Sequence, residues 1–304
     1  MQLHELKKDL VFNKDLLSLV NTLKNVAGSQ FHLLEKQKQR FDAFMDAFAG
    51  FFRVVDLVEV VNPLVQVESD ITGVLILTSD SGFMGGLNSG VIRAAFAAVE
   101  NIPQDKVKLI VIGDKGLGAL EDYTGDIKAF GGINQDTIYE QAVVIKDYLM
   151  QEVKARRIGK LVVACPRALS FSSQTIDVIN LLPCGELFDR DASSEVTERA
   201  GSHRFIAEAR EVIVESSFDD MVEYLAGIWV TSKLYEVFED GKLAEFSARA
   251  MHLEGSLQKV EKEYKRVKQL CFKATHELID KGMRESFAAK STKGRKKKRQ
   301  AAAA

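Results

Sequence analysis

Toward the C-terminal end of the chain, apolar residues recur in strict steps of four and three: Phe246, Ala250, Leu253, Leu257, Val260, Tyr264, Val267, Cys271, Ala274 and Leu278. A stripe of period 3.5 held this long marks a helix that winds around another, because a straight helix of 3.6 residues per turn drifts off it. Between the stripe positions stand Glu254, Lys259, Glu261, Lys262, Glu263, Lys265 and Arg266, the mixed charge of a solvated face. The other end of the chain carries a looser version. Leu6, Leu10, Leu17, Val20, Ala27, Phe31, Leu34, Phe41, Met45, Phe48, Phe52 and Val55 follow the same face, with Lys38 as a polar interruption.

All four prolines, Pro63, Pro103, Pro166 and Pro183, lie between these stripes, which leaves both flanks free to be long helices. A helix of about 50 residues runs to roughly 75 Å, longer than the domain between the flanks is wide. Both helices therefore project, and each must cover the other's apolar seam or share a cover. The reading is an antiparallel coiled coil made by the two ends of one chain.

Between the flanks the period changes. Short β-branched runs at 73–77, 107–112, 126–130, 160–164 and 175–180 read as strands, and 88–99 and 136–155 read as helices. Strand, helix, strand in that order predicts an α/β domain with a mostly parallel sheet and right-handed crossovers. Residues 185–204 read as a polar surface excursion and 211–215 as an edge strand. A last helical region begins near Phe218, with a break expected at Asp240-Gly241. The resulting division is 1–62 and 218–289 as coiled-coil helices, 63–217 as the central domain, and 290–304 as a basic disordered tail.

Composition narrows the class. Hydrophobic residues make up 46% of 304, enough for a real core, and no run approaches the roughly 18 apolar residues of a membrane span. The start has neither a basic region nor an apolar signal core, so the chain is expected to stay where it is made, a bacterial cytoplasm. Cys165, Cys184 and Cys271 are far apart with no CxxC, and read as buried thiols rather than a disulfide or zinc set. Residues 290–299 hold seven basic and no acidic side chains. A nucleic-acid scaffold acting through this tail is one alternative that follows.

Chemistry is hard to assemble. The loop TSDSGFMGGLNS at 78–89 is a glycine-bearing turn between strand and helix, the kind of place where N–H groups can cradle a phosphate. It lacks the lysine of a P-loop, and Gly82, Gly85 and Gly86 do not make GxGxxG; nor do Gly113, Gly116 and Gly118. A nucleotide- or phosphate-using α/β enzyme working through 82–86 is the enzymatic alternative. His4, His32, His203, His252 and His276 are scattered and complete no triad, and Asp80 reads as a turn cap. No catalytic residue, cofactor or metal ligand is assigned.

The same loop carries a resemblance. LTSDSGFMGGLNSGV at 77–91 resembles the ITSDRGLCGGLNSNV stretch of the gamma subunit of F-type ATP synthases. NVAGS at 25–29 resembles the end of that family's first helix, LLP at 181–183 its strand ending, and EFSARA at 245–250 its ExAARM segment. The resemblance implies a non-catalytic rotor. The paired terminal helices would turn inside a ring of three alpha and three beta subunits, and the central Rossmann-like α/β domain would sit near the epsilon subunit and the c-ring. It implies ATP synthesis or hydrolysis coupled to proton or sodium transport, at the cytoplasmic face of a bacterial inner membrane.

The chain departs from the family at Ser81, which stands where the motif has Arg. The family's Ala-Arg-Gln grip on beta falls on Ala274-Thr275-His276 without gaps, or on Val267-Lys268-Gln269 after a shift of one heptad. The second register keeps a cation and an amide, so the resemblance makes Lys268 and Gln269, with Lys24, the candidate contacts to the catalytic subunits. The seam is assigned to Leu253, Leu257, Val260, Tyr264, Val267 and Cys271.

Overall fold

The computed structural model describes residues 3–52, 63–64, 67, 69–184 and 218–301. The expected excursion at 185–204 and the edge strand at 211–215 lie outside them. Helix α1 spans Leu3–Phe52, followed by β1 (Thr72–Leu77), α2 (Leu87–Ala98), β2 (Val107–Ile112), α3 (Asp114–Ala119), β3 (Asp126–Phe130) and α4 (Ile138–Lys154). Strands β4 (Lys160–Ser170) and β5 (Ser173–Leu182) form a hairpin, and α5 runs from Phe218 to Ala301. The chain divides into two compact units, residues 1–24 with 253–304, and residues 25–252.

In the larger unit the sheet order is β3-β2-β1-β4-β5, parallel throughout except for the antiparallel β4–β5 pair. Strand β1 is central and buried along its whole length, which is why it reads as an unbroken apolar run rather than an alternation. Its side chains still divide by face. Leu75 and Leu77 join α4, the Phe31 and Leu34 turn of α1, and Ala226, Val230, Leu234 and Phe238 of α5. Val74 and Ile76 join Val91 and Ala95 of α2 on the other face. Each large aliphatic or aromatic side chain buried this way contributes about 1.5–3 kcal/mol.

Helix α5 does not break at Asp240-Gly241. Glycine there costs about 1 kcal/mol in a helix interior, and its value lies in packing. A Cβ on Gly241 would sit 2.5 Å from Leu77 Cδ2, so the missing side chain lets the helix lie against the end of β1. The backbone also stays helical through the basic run to Ala301, where composition had implied disorder. Lys, Arg, Gln and Ala are all good helix formers, which offsets Gly294 and the like-charge pairs Lys293 with Lys297 and Arg295 with Arg299.

An ion network ties the sheet to α4. Lys108 Nζ on β2 lies 2.9 Å from Glu152 Oε2 and 3.1 Å from Asp126 Oδ2, and Arg157 Nη2 reaches Glu152 Oε1 at 2.6 Å. The Arg157 and Lys108 hydrogen bonds outweigh burial and hold the Glu152 carboxyl down at about 2. A carboxylate depressed in the folded state adds stability above its ordinary range and loses it as pH falls toward 2. Glu152→Gln should therefore lower the urea midpoint clearly at pH 7 and much less at pH 3; equal losses at both would remove the network from the stability of the fold.

Candidate functional site

The loop after β1 is occupied by its own chain. Thr78 Oγ1 donates to Ile112 O at 2.6 Å, and Asn88 Nδ2 donates to Ser79 Oγ at 3.0 Å. The Asp80 carboxylate accepts from Asp114 N and Gly132 N, each at 2.9 Å. It thus joins the loops after β1, β2 and β3. Those N–H groups are the donors a phosphate cradle would offer, and an internal carboxylate already takes them. A second anion beside Asp80 would meet like charge.

In an open α/β sheet the ligand crevice lies where the strand order reverses, here between the carboxyl ends of β1 and β4. Thr78, Ser79 and Pro166 reach that point, and Phe238, Gly241, Lys242 and Glu245 of α5 close it, leaving a cavity of about 20 Å³. That is room for one water. Glu245 accepts from Lys242 at 2.8 Å and Arg249 at 2.6 Å, and Arg249 Nε reaches Gly82 O at 3.4 Å. The EFSARA segment and the TSDSG loop are two sides of one contact. Two of the four stretches that carry the sequence resemblance thus meet here, and the space they leave is too small for a ligand.

The smaller unit contains every assigned seam residue. Leu253, Val267 and Cys271 are buried, and Leu257, Val260 and Tyr264 are half-buried. On α1 the inward positions are Leu6, Leu10, Asn13, Leu17, Val20 and Lys24, stepping four and three without a gap. Asn13 and Lys24 are polar members that a search for apolar residues passes over. Lys24 Nζ donates to Glu254 Oε2 at 2.9 Å across the pair, and its charge holds the Glu254 carboxyl below the usual range. Leu3 lies as far before Lys24 as Thr275 lies after Glu254. Thr275 is half-buried and His276 exposed, so cover on α5 ends where an antiparallel α1 begins.

Beyond Thr275, α5 continues for about 40 Å. Lys268 and Gln269 are exposed on the outer face, whereas Lys24 is engaged within the pair. Apolar side chains also stand on the outer faces: Val11, Phe12, Leu19 and Leu23 on α1, and Leu270, Phe272, Met283 and Phe287 on α5. They fall off the heptad register and stay exposed beside the seam. Among the described residues no cluster of His, Cys, Asp or Glu could hold a metal ion, and no helix is long and apolar enough to cross a membrane.

The profile of the ATP synthase family matches residues 2–281. The chain belongs to the ATP synthase gamma chain family. It is a divergent member. It is 25% identical over 204 residues to the gamma chain of Desulforudis audaxviator, a stretch covering 65% of this chain and 66% of that one. It is 23% identical over 256 residues to that of Maridesulfovibrio salexigens, covering 81% and 83%. The aligned stretch thus spans about two thirds of the first of these relatives. Among solved structures, the rotor of the Euglena gracilis mitochondrial ATP synthase superposes with a TM-score of 0.62 at 17% identity, over 91% of this chain and 98% of that one. The central stalk of the Tetrahymena thermophila enzyme superposes at 0.60 and 16%, over 78% and 99%. At such identities the likeness is one of fold.

Proposed function

We propose that this chain is the central rotor shaft of a rotary F-type ATP synthase and performs no chemistry of its own. The observation that carries the reading is the helix pair of the smaller unit, with its apolar seam closed inside and a second set of apolar side chains left facing out. Seam residues explain pairing; the outward ones require a further cover. A sleeve of alpha and beta subunits around the shaft supplies it, and turning an asymmetric shaft in that sleeve biases each catalytic site through its conformations in sequence.

On this reading Lys268 and Gln269 touch the catalytic subunits, the sheet domain faces the epsilon subunit and c-ring, and the complex works at the cytoplasmic face of a bacterial inner membrane. The basic run at 290–299 lies past the end of the family match and extends the shaft beyond its paired part. Lys24, bonded to Glu254, contributes by holding the two helices in register. The enzymatic alternative at 82–86 has no observation in its favour, because Asp80 and α5 fill the place of a ligand.

Affinity purification of the chain from its native cells should recover ATPase alpha and beta subunits at one to three to three. Recovery of the chain alone, or as a homodimer, overturns the proposal. In the assembled complex, Lys268→Ala with Gln269→Ala should lower ion transport per ATP hydrolysed while leaving assembly intact.

A further inference from the structure

The β4–β5 hairpin is built for more than closing the sheet. Strands β1, β2 and β3 are five or six residues long, whereas β4 has 11 and β5 has 10. Pairing of β4 with β1 ends at Ala164, but pairing with β5 continues from Cys165 to Ser170. The hairpin therefore leaves the sheet, and its projecting part meets both long helices within the larger unit.

On α1 it meets an aromatic seat. The Phe171 ring lies 5.1 Å from Phe31 at 77° and stacks on His32 at 5.7 Å and 15°. A Cβ on Gly28 would lie 3.9 Å from Phe171 Cζ, so the seat extends over one full turn of the helix. On α5 it meets a buried hydroxyl. Ser247, with no exposed surface, donates to Phe171 O at 2.6 Å and accepts from Gln174 Nε2. Two turns earlier on α5, Asp240 takes Arg167 Nε at 3.6 Å and Lys38 of α1, while Arg167 Nη1 reaches Asp177 of β5 at 3.3 Å. Sheet, α1 and α5 meet at one buried carboxylate.

The covalent route between these parts is indirect. The chain joins the sheet to α1 only through residues 53–71, and to α5 only through residues 183–217. Packed contacts give force a direct route between helices and sheet. We propose that the β4–β5 hairpin is the torque coupling of the rotor, holding both helices at once through Phe171, Ser247 and the Arg167–Asp240–Lys38 node. The inference rests on the shaft reading and adds to it the part of the chain where twist in the helices becomes rotation of the sheet domain. Phe171, Arg167 and Ser247 are positioning residues, since they touch nothing that reacts.

The test uses the assembled complex, with its alpha and beta subunits fixed to a surface and a bead attached to the sheet domain. Tyr139→Cys on the exposed face of α4 accepts the bead, and Cys165, Cys184 and Cys271 are buried and do not compete. In Phe171→Ala with Arg167→Gln, the angular spread of the bead during pauses between ATP-driven steps should widen about twofold, because a locally loosened contact adds compliance. Unloaded ATP hydrolysis should not change. A residue that only stabilised the fold would lower the melting midpoint and leave the spread alone. An unchanged spread in this variant overturns the inference; if it does not assemble, Ser247→Ala decides by the same readout. Absence of rotation in the parent overturns the shaft reading instead, and a rotating parent with unaffected variants overturns the coupling alone.

Discussion

Leu253→Asp is expected to unpair the terminal helices and abolish recovery of the alpha–beta complex. The Leu253 side chain is 1% exposed and sits at the first seam step of the smaller unit. Removing a buried leucine costs about 2–5 kcal/mol, and a carboxylate in its place adds an unpaired buried charge worth several more. Lys24 already donates to Glu254, and redirecting it to a new carboxylate would undo one interaction to make another. Lys262, nine residues along and exposed, is the control. Lys262→Asp should leave the helical signal at 222 nm, its melting midpoint and complex recovery near the parent values, while Leu253→Asp lowers all three. A Leu253→Asp chain that melts and assembles as the parent does would take Leu253 out of the seam.

The long terminal helices were readable because heptad spacing depends on nothing beyond the helix itself. What the spacing hides is the partner. Asn13 and Lys24 stand on inward positions of α1, yet they leave gaps in an apolar count, and only the matching carboxylate of Glu254 shows why a cation is tolerated there. The outward apolar set, Phe12 and Phe272 among it, was missed for the converse reason: a surface that awaits another subunit looks like noise in one chain. Strands β2 and β3 agree with the sequence reading to the residue. Their ends carry turn residues and their burial is local in cause.

Strand β4 ran past its predicted end. Its continuation through Pro166 carries a residue that donates no ladder bond, and is supported by β5 and the helices instead. Gly241 misled in the same way: a glycine that serves a close approach is indistinguishable in sequence from one that ends a helix. The candidate site followed the same division. The loop 78–89 was legible as an unusual strand-to-helix turn, and its spacing already argued against a nucleotide. That Asp80 acts as the internal anion became visible only when Gly132, 52 residues away, was placed on it.

Gly113→Ala should be among the most damaging single-methyl additions in the chain, for reasons that join this loop to the fold. Gly113 has φ +96°, a conformation that residues with a side chain rarely hold, at a cost of about 1–3 kcal/mol. Its surroundings leave no room for relaxation. A Cβ there would lie 2.5 Å from the Thr78 carbonyl oxygen, 2.7 Å from its carbon and 2.9 Å from the Ser79 carbonyl carbon. All three are backbone atoms, held by Thr78 N to Ile112 O at 2.9 Å and Lys115 N to Ser79 O at 3.0 Å. Moving them would pull Asp80 from Asp114 N and Gly132 N and so open the junction of three loops. Overpacking against fixed atoms adds about 1–3 kcal/mol to the conformational cost, for a total loss of roughly 2–6 kcal/mol. Gly118 provides the contrast within α3, since a Cβ there meets nothing within 4 Å. Gly118→Ala should be neutral or stabilise by up to about 1 kcal/mol. The single tryptophan, Trp229, packs against the core of the same unit and reports both by fluorescence in a urea titration. Equal midpoints for the two alanine variants would mean that the loop yields where its hydrogen bonds say it should hold.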